Sequence, residues 1–363
     1  MKVYAFPQAG NPYQRLLYAA MRASDVEVVY LPAATSSQTL NIILLPWSLL
    51  TGRLRGIRIL HIHWVYLFAP LWVQRVPGGR RLMQVWFTVC LGVARRLGYR
   101  IVWTAHNVLP HTQVFSDDMA ARRRLARGCD AAIVHSNATI PAIRSLGAVD
   151  IRVIEAGSYV GEYPDTLDRA EARSRLGLGA DEGVISCVGL IESYKGIDWL
   201  LEAARRLQPQ VRLRIVIAGR CQDEVLLEHL LALAAEVSDR VIHRFEYIPD
   251  DELQIYLRSA DLAIFPFKTI TNSSSVLLAL SFGTPVLIPA LDEFEDIPAD
   301  VAIRYEPGVS GLVSALSAAA DLDRSTLDGL AARARSYAES LSWERCAKST
   351  IDVYHDVLAR RST

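Results

Sequence analysis

Short apolar or β-branched runs alternate with stretches of helical periodicity along almost the whole chain, and they do so in two successive series. In the first half the strand candidates are Lys2–Phe6, Glu27–Leu31, Ile59–His63, Ile101–Ala105, Ala131–His135 and Asp150–Ile154. Helical spacing separates them at Tyr13–Arg22, Leu82–Leu97 and Met119–Arg127. The second half repeats the scheme with strands at Gly183–Val188, Leu213–Ala218, Val241–Phe245, Leu262–Phe265 and Val286–Ile288. Its helices fall at Trp199–Leu207, Asp223–Glu236, Asp250–Ser259 and Ser274–Phe282. Strands joined through helices must run parallel, so each series predicts a doubly wound α/β sheet. A chain of 363 residues also exceeds what one core accommodates. The turn-rich stretch from Glu155 to Asp165 is the expected hinge. Ligands of open parallel sheets sit at the carboxyl ends of strands, so the strand-to-helix loops are where chemistry is expected.

The net charge of zero hides an asymmetry. Residues 1–150 carry 17 Lys+Arg against 6 Asp+Glu, and no acidic residue occurs between Val28 and Ser116. That window holds Arg53, Arg55, Arg58, Arg75, Arg80, Arg81, Arg95, Arg96 and Arg100, interleaved with Trp47, Leu49, Leu50, Leu54, Trp72, Val73, Trp86 and Phe87. Arginine among Trp and Leu suits an anionic membrane surface; a nucleic-acid groove would add Lys, Asn and Gln, and nucleic acid is not expected as a partner. A solvated basic surface over buried aromatics is the alternative. The apolar windows at 59–73 and 82–94 are too short and too interrupted for membrane spans. The opening residues form one short strand without the apolar core of a signal peptide. Five scattered cysteines without a C-x-x-C pair suggest reduced thiols in a cytosol.

Two loops carry the strongest chemical signals. Gly189-Leu190-Ile191-Glu192-Ser193-Tyr194-Lys195-Gly196 leaves a strand and enters a helix, placing a lysine beside exposed helix N–H groups, an arrangement suited to phosphate. Thr269-Ile270-Thr271-Asn272-Ser273-Ser274-Ser275 precedes an apolar helix and Gly283-Thr284-Pro285-Val286, with more small polar residues than one helix cap requires. His61 and His63 alternate along a strand and so share a face, either as packing residues or as members of a site.

Together with Leu341-Ser342-Trp343-Glu344, His61-Ile62-His63-Trp64 and Thr104-Ala105-His106-Asn107, these motifs resemble retaining GT-B glycosyltransferases of glycosyltransferase family 4, and occur in that family's order. The resemblance implies an α/β fold of GT-B architecture, two Rossmann-like doubly wound domains facing each other across a cleft. A C-terminal helix is expected to cross back to the N-domain, giving an acceptor domain at 1–160 plus about 345–363 and a donor domain at 161–344. It implies transfer of a sugar from a nucleotide-diphosphate donor to a glycan or lipid-linked acceptor in envelope or exopolysaccharide assembly. The donor is a substrate; no cofactor and no metal is implied. A cytoplasmic enzyme, peripheral on the inner face of the cell membrane, fits the basic first half.

Residue by residue, Lys195 resembles the lysine on the donor diphosphate, and Ser273, Ser274, Ser275 and Val276 the turn whose N–H groups meet the phosphates. Gly10, Gly189, Glu192 and Tyr194 fall in the donor loops, and Tyr247 and Ile248 where relatives line the base. His106 resembles the histidine beside the transferred sugar; His63, Asn107 and His111 are the expected acceptor contacts. Asp117 and Asp118 are further candidates for a base.

The chain also departs from the pattern. Leu190 stands where relatives usually have arginine, Glu192 where a subset has one, and Thr271 and Ala279 where relatives carry two glutamates. Those losses leave open a second class, a non-transferring GT-B-fold partner or glycan-binding protein. An epimerase of the same shape would need the missing carboxylates.

Overall fold

The computed structural model describes residues 1–8, 10–31, 35, 37–68, 70–108, 113–271 and 273–360. The chain divides into two compact units, Met1–Gly157 with Ser342–Thr363, and Ser158–Leu341. The first boundary falls three residues before the expected one, because Ser158 and Tyr159 already belong to the second unit. The Ser158 N–H donates to the Leu341 carbonyl (2.8 Å) and that of Tyr159 to Ser281 Oγ (2.9 Å).

The first unit holds strands β1 (Lys2–Phe6), β2 (Glu27–Tyr30), β3 (Ile59–Ile62), β4 (Arg100–Thr104), β5 (Ala131–Val134) and β6 (Ile151–Val153). They form one sheet in the order β2-β1-β3-β4-β5-β6, every pair parallel. The helix Pro12–Arg22 after β1 packs on one face with the C-terminal helix Trp343–Ala359. Helices Leu45–Leu54, Gly79–Arg96 and Asp118–Gly128 bury the other face. The chain therefore changes sides between β1 and β3, which opens a crevice at their carboxyl ends. The expected strand ends His63, Ala105 and His135 lie just beyond β3, β4 and β5, in the loops bordering that crevice.

The second unit holds β7 (Gly183–Val188), β8 (Leu213–Ala218), β9 (Val241–Arg244), β10 (Leu262–Ile264), β11 (Val286–Pro289) and β12 (Ala302–Tyr305). Their order is β12-β11-β10-β7-β8-β9, again all parallel, with the switch between β7 and β10. Helix Ile197–Arg206 after β7 lies on one face and helix Ser274–Ser281 after β10 on the other. Asp261, one residue before β10, pins the opposite end of this strand pair. Its carboxylate accepts the Val184 N–H and the buried Arg173 guanidinium, both at 2.9 Å. β12 escaped the sequence reading because its alternation in Ala302-Ile303-Arg304-Tyr305 is brief and includes a charge; Arg304 turns its guanidinium to the carbonyls of Phe294 and Ile297.

All five cysteines are free, four of them buried. Among the described residues no helix is long and apolar enough to cross a membrane.

Candidate active site

In the second unit the loops after β7 and β10 interlock at the switch point. Gly189 leaves β7 with φ +134°, and a Cβ there would come within 2.7 Å of Ser275 Oγ and 3.5 Å of Lys195 Nζ. Gly196 has φ +69°, and its Cβ would meet the Pro266 carbonyl oxygen at 1.9 Å. Only glycine allows either approach, so the spacing of the two glycines sets how closely the loops nest. The Lys268 N–H donates to the Tyr194 carbonyl (2.8 Å) and completes the join.

Lys195 projects into this junction. Its Nζ lies 3.5 Å from Ser275 Oγ and 6.0 Å from the Phe267 ring centre, and no carboxylate pairs with it among the described residues. Lys268, on the partner loop, is by contrast already paired with Asp198 at 2.7 Å. Burial holds the Lys195 pKa below the ordinary lysine value, while Cys187 and Glu192 act in the opposite sense. The Cys187 thiol beneath it is pushed up to about 12 by burial and stays neutral. A half-buried ammonium without a counter-ion is stabilised by any anion that enters.

The β10 loop supplies the second half. Ser273 caps the helix Ser274–Ser281, its Oγ accepting the Val276 N–H at 3.2 Å. The expected role of the Val276 N–H on a phosphate is therefore taken by the cap, and its side chain is buried in the core. The N–H groups of Ser274 and Ser275, first in the helix, have no acceptor among the described residues. Two helix N-terminal N–H groups without an acceptor among the described residues, one hydroxyl and one ammonium thus lie together, an arrangement suited to an anion.

The other donor-side positions divide. Glu192 begins the turn that carries Lys195, its carbonyl accepting the Lys195 N–H at 2.9 Å. Tyr194 stacks on Phe267 with 6.4 Å between ring centres, a packing role. Beyond β9, the Tyr247 side chain is 64% exposed while that of Ile248 lies in the core, so only the Ile248 backbone is open to a ligand. Ala279 is fully buried, so it is not a vacant carboxylate slot as expected; a glutamate there would be desolvated. Ile270 and Leu278, one residue earlier, have the same spacing and are half-buried at the edge of that core.

In the first unit, the β1/β3 crevice is floored by histidines. His63 Nδ1 lies 3.1 Å from His106 Nε2, and the Tyr18 hydroxyl lies 2.5 Å from His63 Nε2. His61 bridges the Tyr354 hydroxyl (2.6 Å) and Thr104 Oγ1 (2.7 Å). His106 stacks on Trp64 with 4.2 Å between ring centres, and Tyr13 meets it edge-on at 4.7 Å. His135 anchors Nδ1 to the Ile154 carbonyl (2.8 Å).

Burial drives all four rings toward the neutral form, His61 down to about 3 and His63 and His106 well below the usual histidine value. His63 is 2% exposed with both ring nitrogens engaged, so it offers no face to an acceptor; it supports His106 instead. Gly10 is exposed and a Cβ there would meet nothing within 4 Å, so its own fold does not demand glycine. Asn107 is half-buried beside His106, and His111 lies outside the described residues. Asp117 caps the helix Asp118–Gly128, and Asp118 accepts the N–H groups of Val114 and Phe115; neither is free to act as a base.

Residues 182–321 match the family model described as glycosyl transferases group 1, a span that contains both loops of the second unit's switch point. The second unit thus carries a group 1 glycosyltransferase domain. The chain is 28% identical over 312 residues to a GDP-mannose:glycolipid 4-beta-D-mannosyltransferase of Xanthomonas campestris pv. campestris, covering 83% of this chain and 80% of that one. A sucrose-phosphate synthase from Thermosynechococcus elongatus shares its fold with TM-score 0.74 at 18% identity, covering 99% of both chains. Anabaena HepE in complex with UDP also matches at TM-score 0.74 and 15% identity, over 98% of this chain and 100% of that one. Two six-stranded parallel α/β units are thus the GT-B fold in this glycosyltransferase.

Several of its site residues gave no sequence signal. Tyr13 and Tyr18 recur at helical spacing like any core residues, and Tyr354 joins His61 from 293 positions away. Trp64 closes the His61-Ile62-His63-Trp64 motif, but nothing in one sequence says that its ring lies under His106.

Proposed function

We propose that this glycosyltransferase moves a sugar from a nucleoside diphosphate sugar to a lipid-linked or glycan acceptor. The convergence of Lys195, Ser275 and the open helix N–H groups at the β7/β10 switch carries the reading. Cleavage of the sugar–phosphate bond leaves charge on the diphosphate, and preorganised donors stabilise that charge without reorganisation. In this reading Lys195 and the N–H groups of Ser274 and Ser275 do this work without a metal ion, and His106 with Asn107 meets the transferred sugar and acceptor. The transfer retains the anomeric configuration, with the leaving phosphate taking the acceptor proton. Incubation of the protein with GDP- and UDP-sugars and a polyprenyl-diphosphate-linked glycan tests this. A glycosylated lipid, formed equally well with EDTA and with the donor's anomeric configuration by NMR, is expected; an inverted product would assign His106 as base instead.

The acceptor's lipid character draws support from the first unit's surface. Ten of the sixteen exposed large apolar residues described lie between residues 40 and 89, including Trp47 (64% exposed), Leu54, Trp72, Leu82, Val85 and Val89. Hydrogen bonds from Trp72 to Thr39 (3.0 Å) and from Trp86 to the Ile42 carbonyl (2.9 Å) tie the segments that bear them. Arg55, Arg58, Arg75 and Arg81 in the same region have no ion-pair partner among the described residues. Each such cation contributes about 1 kcal/mol near an anionic bilayer, and the apolar side chains add insertion. The protein is expected to co-sediment with vesicles containing phosphatidylglycerol at low salt and to be released about tenfold by Trp47→Ser with Leu82→Ser. Equal sedimentation with neutral and anionic vesicles would remove the membrane from this account.

A further inference from the structure

The hydrogen bonds beneath His106 have a direction, and it decides what His106 presents to substrate. A neutral imidazole carries one N–H and one bare nitrogen, so each ring in a chain of contacts transmits the sense of the one before it. The chain begins at Tyr18, whose hydroxyl is 1% exposed with its residue and lies 2.5 Å from His63 Nε2, against 3.5 Å from His61 Nδ1. The other nearby phenol, Tyr354, is 2.6 Å from His61 Nδ1, and His61 Nε2 is 2.7 Å from Thr104 Oγ1. Each phenol therefore has one imidazole nitrogen as its near acceptor, and a phenol is the stronger donor of such a pair. With Tyr18 donating to His63 Nε2, the single proton of His63 sits on Nδ1 and is donated to His106 Nε2 at 3.1 Å. His106 Nε2 is then an acceptor, and the ring's own proton resides on Nδ1.

We infer that Tyr18 and His63 are positioning residues that fix His106 as its Nδ1–H tautomer, so that His106 acts on the sugar as a hydrogen-bond donor and not as a base. The assignment rests on the reading of His106 as a sugar-contacting residue only for its effect on catalysis; the tautomer itself does not. Trp64 and Tyr13 hold the ring plane, at 12° and 84° to the imidazole, while Tyr18 and His63 set where its proton lies. A donor is what a retaining transfer uses here, since the acceptor's proton goes to the leaving phosphate.

Long-range 1H–15N correlation spectra of histidine-labelled protein test the assignment directly. The Nδ1–H pattern is expected for His106 in the wild type, and Tyr18→Phe, which keeps the ring and loses the hydroxyl, is expected to give a mixture of tautomers. In transfer assays His63→Leu should lower kcat about 10- to 100-fold with donor KM within about twofold. His63→Gln should stay within about threefold of wild type, because its amide can accept from Tyr18 while donating to His106. An Nε2–H pattern for His106, or a tautomer unmoved by Tyr18→Phe in a variant folded by circular dichroism, would overturn the inference. The expected spectra with unchanged kcat in His63→Leu would uphold the tautomer assignment and instead refute a role for His106 on the sugar.

Discussion

Replacing Lys195 by alanine is expected to lower kcat/KM for sugar transfer by about 10²- to 10³-fold, the scale for removing one preorganised group from a developing charge. The fold should survive, because among the described residues Lys195 makes no ion pair and only a 3.5 Å contact to Ser275 Oγ. Its ammonium is held short of counter-charge by burial, a state with an unfavourable desolvation term when the site is empty. Removing it should therefore leave stability unchanged or slightly raised while it removes activity, and this opposed pair of effects marks a binding cation. The resemblance to family 4 implies an arginine where this chain has the 43%-exposed Leu190, so in the proposed reading Lys195 and the serine turn would carry more of the diphosphate charge. Parallel measurement of kcat/KM and of the thermal midpoint for the variant checks both halves.

The second large effect concerns pH. His61, His63 and His106 are buried and neutral, each with a pKa depressed by that burial. Once the chain unfolds, each returns to a value near 6.5. Above that value neither state is charged and stability is at its maximum with respect to these groups. Below it the unfolded state binds protons that the folded state does not, so stability falls as pH falls, down to about 3 for His61. His61 alone amounts to roughly 2 kcal/mol at pH 5 relative to pH 7.5, and His63, His106 and His135 act in the same direction. Calorimetric unfolding at pH 5 should show the uptake of more than one proton, with the first unit losing its transition before the second as pH falls from 7.5. A midpoint flat across that range would mean that the histidines are charged in the folded protein.

Much of the scaffold was legible in the residue pattern, for physical reasons. Parallel strands buried on both faces read as apolar runs, so Gly183–Val188 and Leu213–Ala218 could be placed to the residue. The loops were legible too, since a glycine at each end of Gly189–Gly196 reports a close backbone approach before the approaching atoms are known. Side-chain direction was not. Ala279 and Ile248 belong to the right segments but point into the core, and a one-residue shift on a helix turns a ligand contact into packing. His63 illustrates the same limit on a strand. Alternation put it on the face of His61, with their ring centres 4.1 Å apart, but its burial comes from Tyr18 and His106, brought together by the sheet order. Tyr354 was beyond reach altogether, because the C-terminal helix meets the first unit only through folding.

The proposed transfer requires that the β7/β10 switch point bind a nucleoside diphosphate through Lys195. Titration calorimetry of GDP and of UDP into the wild type and into Lys195→Ala tests it most directly. At least one of the two is expected to bind the wild type at a single site, with an affinity that falls about 10- to 100-fold in the variant, the loss of one charge-assisted contact. Equal affinity in the two proteins, or no binding of either nucleotide to the wild type, would contradict it.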